Sequence, residues 1–121
     1  MKLIDFFIGR VKSFLPAFQG ILYAVKHEKN IWFHGLATLA ALIFIFILKL
    51  NYIEILFFIS AITFVWVSEL FNTAIEQLLN FIHPDKNHHV KNIKDLSAAG
   101  VFLAAVYAII VFFVILFIKI Y

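Results

Sequence analysis

Between Leu96 and Ile118 the sequence carries no charged residue. A run of about 20 apolar residues is what a helix needs to cross a hydrocarbon core of ~30 Å. Inside lipid the backbone must satisfy its own hydrogen bonds, which a single segment does only as a helix. Two more apolar segments precede it. Ile31–Leu50 holds no formal charge between Asn30 and Lys49, only His34. Tyr52–Ile82 is longer and is interrupted by Glu54, Glu69 and Glu76. As one helix it would measure ~46 Å at about 1.5 Å per residue, so its second half should project from the bilayer on one side. The expected fold is an all-α membrane protein, one membrane domain over 1–121, with transmembrane helices at about 30–50, 52–82 and 96–120.

Composition closes off the alternatives. Of 121 residues, 64% are apolar and 14% charged, where a soluble domain carries ~25% charged residues. A chain this short buries too little surface to hide so much Phe, Ile and Leu inside itself. A soluble globular enzyme, a disordered chain and a disulfide-stapled domain are excluded. With no Cys there is neither a thiolate metal site nor a catalytic thiol. The net charge of +3 comes from cations beside apolar segments. That pattern suits a membrane surface, and no nucleic-acid partner is expected.

The first 28 residues read differently. Phe7, Val11, Phe14, Phe18, Leu22 and Val25 share one helical face, and Asp5, Lys12, Gln19 and Lys26 another. An amphipathic surface helix is expected here, lying in the membrane interface and kinked or split by Pro16. A cleaved leader fits poorly, because the apolar residues are periodic and no small-residue cleavage site follows. Lys2, Arg10, Lys12, Lys26 and Lys29 precede the first span, and Lys86, Lys91 and Lys94 follow the second. By the positive-inside rule the N-terminus is cytoplasmic and the C-terminus outside. Asp95 or Ser97 is the expected cap of the third transmembrane helix.

The chemistry is concentrated in Glu69-Leu70-Phe71-Asn72-Thr73-Ala74-Ile75-Glu76. Glu69, Asn72, Glu76 and Asn80 fall within about 80° of arc and form one polar stripe. Glu69 lies ~26 Å along this helix and Glu76 ~36 Å. One carboxylate is thus at headgroup depth, and the other is where a soluble nucleotide can reach. Ionisable residues in spans are costly and usually functional, although such a stripe also holds helices together. Lys94-Asp95 at the entry to the third span is a second candidate, with a snorkelling lysine and an N-cap as its structural reading. Glu28, Asn30 and His34 form a third group, in which His34 is more simply an interhelical partner than a ligand. His83, His88 and His89 suggest a metal tract only weakly. No Gly-x-x-x-x-Gly-Lys-Ser/Thr loop, Gly-x-Ser-x-Gly elbow or His-Glu-x-x-His motif occurs.

Ala17-x-x-Gly20, Glu28-x-Asn30-x-x-x-His34, Glu69-x-x-Asn72-Thr73-Ala74-Ile75-Glu76 and Lys94-Asp95-x-x-Ala98-Ala99 together resemble the small integral-membrane diacylglycerol kinase and undecaprenol kinase family of bacteria. The resemblance implies a homotrimer of three-span subunits in the bacterial inner membrane, with active sites shared between neighbours. It implies transfer of the γ-phosphate of ATP, with Mg²⁺, to the hydroxyl of a membrane lipid alcohol, diacylglycerol or undecaprenol. In its terms Glu69 is the base, supported by Asn72. Glu28 and Glu76 hold the metal and nucleotide, and Lys94 and Asp95 contact the nucleotide. Arg10 and Ala98 join Glu69 on the lipid-substrate side. The chain departs from the family at Asn80, where Asp is usual, and at Lys86-Asn87-His88, where a Tyr-His pair is common.

Elementary chemistry agrees with that assignment. Phosphoryl transfer needs positioning and charge stabilisation more than covalent help. Mg²⁺ is typically held by one or two carboxylates plus phosphates, and a lysine offsets charge on the moving phosphoryl group. Two other accounts compete. A small cation- or proton-coupled transporter would use Glu69 but leave Glu76, Lys94 and Asp95 idle, and it would be expected to show repeats and broken helices. A structural membrane protein would tolerate Ala at 69, 76 and 95.

Overall fold

The computed structural model describes residues 1–121 as five helices and no strand. They are α1 (Lys2–Ser13), α2 (Leu15–His27), α3 (Lys29–Ile47), α4 (Tyr52–Ile82) and α5 (His88–Ile120). The segment expected to be kinked or split near Pro16 is split into two helices. Pro16 stands at the start of α2, where its missing N–H cannot continue the hydrogen-bond ladder of α1. Phe14 keeps helical angles at the join, and its N–H turns back to Val11 O at 3.2 Å. α1 buries no residue and packs only against α2.

Three helices, α3, α4 and α5, are long and apolar enough to cross a membrane. Only 11 of 121 residues are buried, while Phe46 is 82% and Phe33 71% exposed. Apolar area on that scale is not left to water, and this is a membrane protein. α4 and α5 pack side by side along their length as an antiparallel pair. Phe58 and Ala61 of α4 meet Val111 and Ile115 of α5, with Leu50 closing one end. Phe112 sets its ring edge-on to Phe44 of α3 at 5.2 Å, which ties the third span to this core.

The α3–α4 turn is fully satisfied by local bonds. Lys49 adopts φ 49°, the left-handed cap conformation usually given to glycine. Lys49 N–H bonds to Phe46 O at 3.3 Å and Leu50 N–H to Ile45 O at 3.2 Å, the two bonds of a Schellman motif. Leu50 drops into the core, as the motif's hydrophobic contact requires. Asn51 then opens α4 with a reciprocal capping box. Its side chain accepts from Glu54 N–H at 3.0 Å, and its own N–H donates to Glu54 Oε2 at 2.8 Å. Lys119, near the end of α5, reaches Glu54 Oε2 at 2.8 Å and the Lys49 carbonyl at 3.3 Å.

α5 corrects the expected cap. It starts at His88, not near residue 96, and its N-cap is Asn87, whose Oδ1 accepts from His89 N–H at 2.8 Å. Asp95 lies inside the helix and pairs with Lys91 one turn earlier at 2.7 Å. Ser97 caps nothing, and its Oγ is buried without a partner. Like α4, α5 is longer than a hydrocarbon core needs, and both excess lengths meet at the 83–87 loop.

Candidate active site

α4 carries the polar stripe, and each member finds a different neighbour. Glu69 is 3% exposed, the most buried charged residue of the chain. Its Oε2 lies 3.3 Å from His34 Nε2 of α3. The contact is framed by a second link between the same helices. Trp66 Nε1 donates to Thr38 Oγ1 at 2.8 Å, and Thr38 Oγ1 donates to the His34 carbonyl at 2.7 Å. One turn on, Asn72 and Glu76 face each other, Asn72 Nδ2 standing 3.5 Å from Glu76 Oε1. Asn72 Oδ1 is buried and unpartnered, although a buried amide oxygen normally accepts a bond. Gln77 Nε2 donates to Glu28 Oε1 at 3.3 Å. That contact ties the carboxylate of Glu28, the residue preceding α3, to the turn of α4 that holds Glu76.

The seam ends at α5. Lys94 Nζ donates to Asn80 Oδ1 at 2.7 Å, so the amide standing at the family's acidic position has a cationic partner. Beyond it opens a cleft of about 570 Å³ lined by His83, Lys86, His88, Lys91, Lys94 and Asp95, among others. Three lysines face two carboxylates, Asp85 and Asp95, on its wall, a net excess of one positive charge. A second hollow of about 460 Å³ lies between α2 and α4, walled by Ala17, Gly20, Ala24, Leu70 and the buried Thr73.

Glu69, Asn72 and Glu76 therefore share one face of α4, with Glu28 tied to this helix through Gln77 and Lys94 through Asn80. Asp95 lines the cleft but spends one oxygen on Lys91. Ala98 is exposed on α5. Arg10 lies on α1, over the ring of Phe6 at 5.0 Å, and within one chain it is not brought to the seam. The His83, His88 and His89 tract forms no metal cluster, since no three His, Cys, Asp or Glu side chains converge anywhere in the chain. Gln77, Thr38 and Trp66 were not singled out from the sequence. Gln77 lies beside Glu76, and Thr38 and Trp66 sit one turn from His34 and Glu69, so helical spacing was the available signal.

The profile of prokaryotic diacylglycerol kinases matches residues 16–116. An undecaprenol kinase of Bacillus subtilis is 38% identical over 101 residues, 83% of this chain and 81% of that protein. A diacylglycerol kinase of Synechocystis sp. is 31% identical over 100 residues, 82% of this chain and 57% of that longer protein. With a family match across most of its length and three membrane-capable helices, this chain belongs to the prokaryotic diacylglycerol kinase family, as a phosphotransferase acting on a lipid alcohol.

Proposed function

We propose that the chain transfers the γ-phosphoryl group of ATP to the hydroxyl of a membrane lipid alcohol, with undecaprenol as the preferred acceptor and diacylglycerol as the second. The observation that carries this reading is the graded seam on α4. It begins at a carboxylate 3% exposed at Glu69, passes Asn72 and Glu76, and ends at Lys94 beside a basic cleft. The preference for undecaprenol rests on the 38% identity to a kinase of that lipid over most of both chains.

In this reading Glu69 is the base that receives the proton of the lipid hydroxyl at headgroup depth. Asn72 holds Glu76 through its Nδ2, and its Oδ1 is left buried without a partner. Lys94 and the cleft wall neutralise phosphate charge. The residues fit Mg²⁺: Glu28, Glu76 and the orphaned Asn72 Oδ1 are all oxygen donors. Two carboxylates without a third match a cation that completes its shell with phosphates and water. Mg²⁺ held there would draw charge off the β- and γ-phosphates. Family membership disfavours the transporter reading, which leaves Lys94 and the basic cleft unused.

The same reading puts the N-terminus and the 83–87 loop in the cytoplasm of a bacterium, α1 and α2 in the inner face of its inner membrane, and three copies in one assembly. Cations on the 83–95 side and the wholly exposed α1 support the first two points. The exposed apolar faces, and the separation of Arg10 and Ala98 from the seam within one chain, support neighbours that complete the site. The test is to incubate vesicles of purified protein with Mg-ATP labelled at the γ-phosphate and with undecaprenol or diacylglycerol. Label should enter the lipid, more with undecaprenol, and Glu69→Gln should lower the rate ~10²–10⁴-fold, the usual worth of a general base. Full turnover by folded Glu69→Gln would remove Glu69 from the chemistry. ATP-independent proton flux without labelled lipid would restore the transporter.

A further inference from the structure

Each carboxylate of the seam has one side-chain neighbour, and they differ in kind. Glu28 meets the amide of Gln77 and Glu76 that of Asn72. Glu69 alone meets an imidazole, with His34 Nε2 3.3 Å from its Oε2 and the two side chains 15% and 4% exposed. α3 offers few other polar side chains to α4 at this depth. The position of His34 is fixed from two sides. Its carbonyl is held by Thr38 Oγ1, which the Trp66 indole anchors in turn. Its ring is flanked by Phe33 edge-on at 5.8 Å and by Trp66 at 6.5 Å. An ionised carboxylate this poorly hydrated is costly unless a partner compensates it. Contacts of this kind are often long in the empty protein and tighten once substrate is bound.

We propose that His34 is the positioning residue for Glu69. Its Nε2 engages Oε2 and leaves Oε1 turned to the lipid hydroxyl. The inference rests on the reading of Glu69 as base. In the step it serves, the lipid oxygen bonds to the γ-phosphorus as the bond from phosphorus to the β–γ bridging oxygen breaks. The hydroxyl proton passes to Glu69 Oε1, and ADP leaves with the electron pair of the broken bond. The proton then leaves Glu69 for water at the headgroup layer. His34 touches no reacting atom; it sets the angle of the group that does.

The test compares wild type, Glu69→Gln, His34→Leu, His34→Gln and the double variant Glu69→Gln/His34→Leu in vesicles with Mg-ATP and undecaprenol. His34→Leu should lower kcat ~10–100-fold, the scale of a misplaced reacting group, with KM for ATP and lipid unchanged. His34→Gln, whose amide nitrogen reaches the same point, should recover most of that loss. The double variant should be no slower than Glu69→Gln, because a positioning residue has nothing left to position. ¹⁵N NMR adds a readout independent of turnover and of any substitution at 34: Glu69→Gln should shift the His34 Nε2 resonance. A normal kcat in His34→Leu, a defect confined to KM, no rescue by Gln, or an unmoved Nε2 resonance overturns the proposal. If Glu69→Gln itself turns over normally, the base assignment fails instead, and the two failures are told apart by that variant alone.

Discussion

Thr38 and Trp66 form the one fully geometric side-chain hydrogen bond between α3 and the middle of α4, and its two ends are not equivalent. Trp66→Phe removes the indole N–H but leaves Thr38 Oγ1 still donating to the His34 carbonyl. No buried donor is stranded, so the loss is that of a bilayer side-chain hydrogen bond, about 0.6 kcal/mol on average and up to ~1.7. Thr38→Val removes the acceptor and leaves the half-buried indole N–H without a partner. An unsatisfied donor costs ~1–3 kcal/mol, and the exposed part of Trp66 faces lipid, which offers its N–H no acceptor. Thr38→Val should therefore cost roughly 2 kcal/mol and Trp66→Phe less than half as much. Reversible unfolding in mixed micelles by stepwise addition of sodium dodecyl sulfate, followed by far-ultraviolet circular dichroism, reads both. The double variant should fall short of the sum by about the hydrogen-bond energy. Equal costs, the reverse order or strict additivity would refute the stranded-donor reasoning. Both variants should also lower kcat, since the same link fixes the backbone that carries His34.

Lys94→Met removes the cation between Asn80 and the basic cleft. It should raise KM for ATP ~10–100-fold, the worth of a charge-assisted contact of roughly 1.5–3 kcal/mol, measured by labelled-phosphate transfer. Glu28→Gln and Glu76→Gln should each shift the Mg²⁺ concentration for half-maximal rate upward, and the double variant should shift it further; a Mg²⁺ titration at saturating ATP checks this. Phe58→Ala opens the α4–α5 core beside Val111 and Ile115. Because unfolded helices stay in lipid, only the packing share of a core truncation is lost, about 1–3 kcal/mol in the same micellar unfolding experiment. Lys49→Gly relieves the left-handed cap residue and should stabilise by up to ~1 kcal/mol; any loss beyond the small error of the method contradicts the Schellman assignment.

The spans were legible because charge-free length is a direct demand of the bilayer, and Pro16 announced the break between α1 and α2 by its missing N–H. The seam was legible because 69, 72, 76 and 80 recur at helical spacing. The start of α5 was not. The edge of the apolar run lies where Asp95 and Ser97 stand, while the helix begins two turns earlier in a charged stretch outside the hydrocarbon. Asn87, a good N-cap type, was the overlooked sign. The His34–Glu69 contact was hidden for another reason. α3 is apolar on almost every side, so its sequence does not say which face meets α4. The Glu54–Lys119 pair joins residues 65 positions apart, and no local spacing rule connects them.

The turn at Lys49 and the end of α5 are fastened together by Lys119, Glu54, Asn51 and Leu50. The opposite end of the bundle has the Lys94–Asn80 bond at 2.7 Å, two longer amide contacts and a short loop. The molecule is thus built like a pair of tongs riveted at the handle. In the proposed reading, the spreading that admits a nucleotide and a lipid head takes place at the tips, where the Lys94–Asn80 bond is the one short tie between α4 and α5.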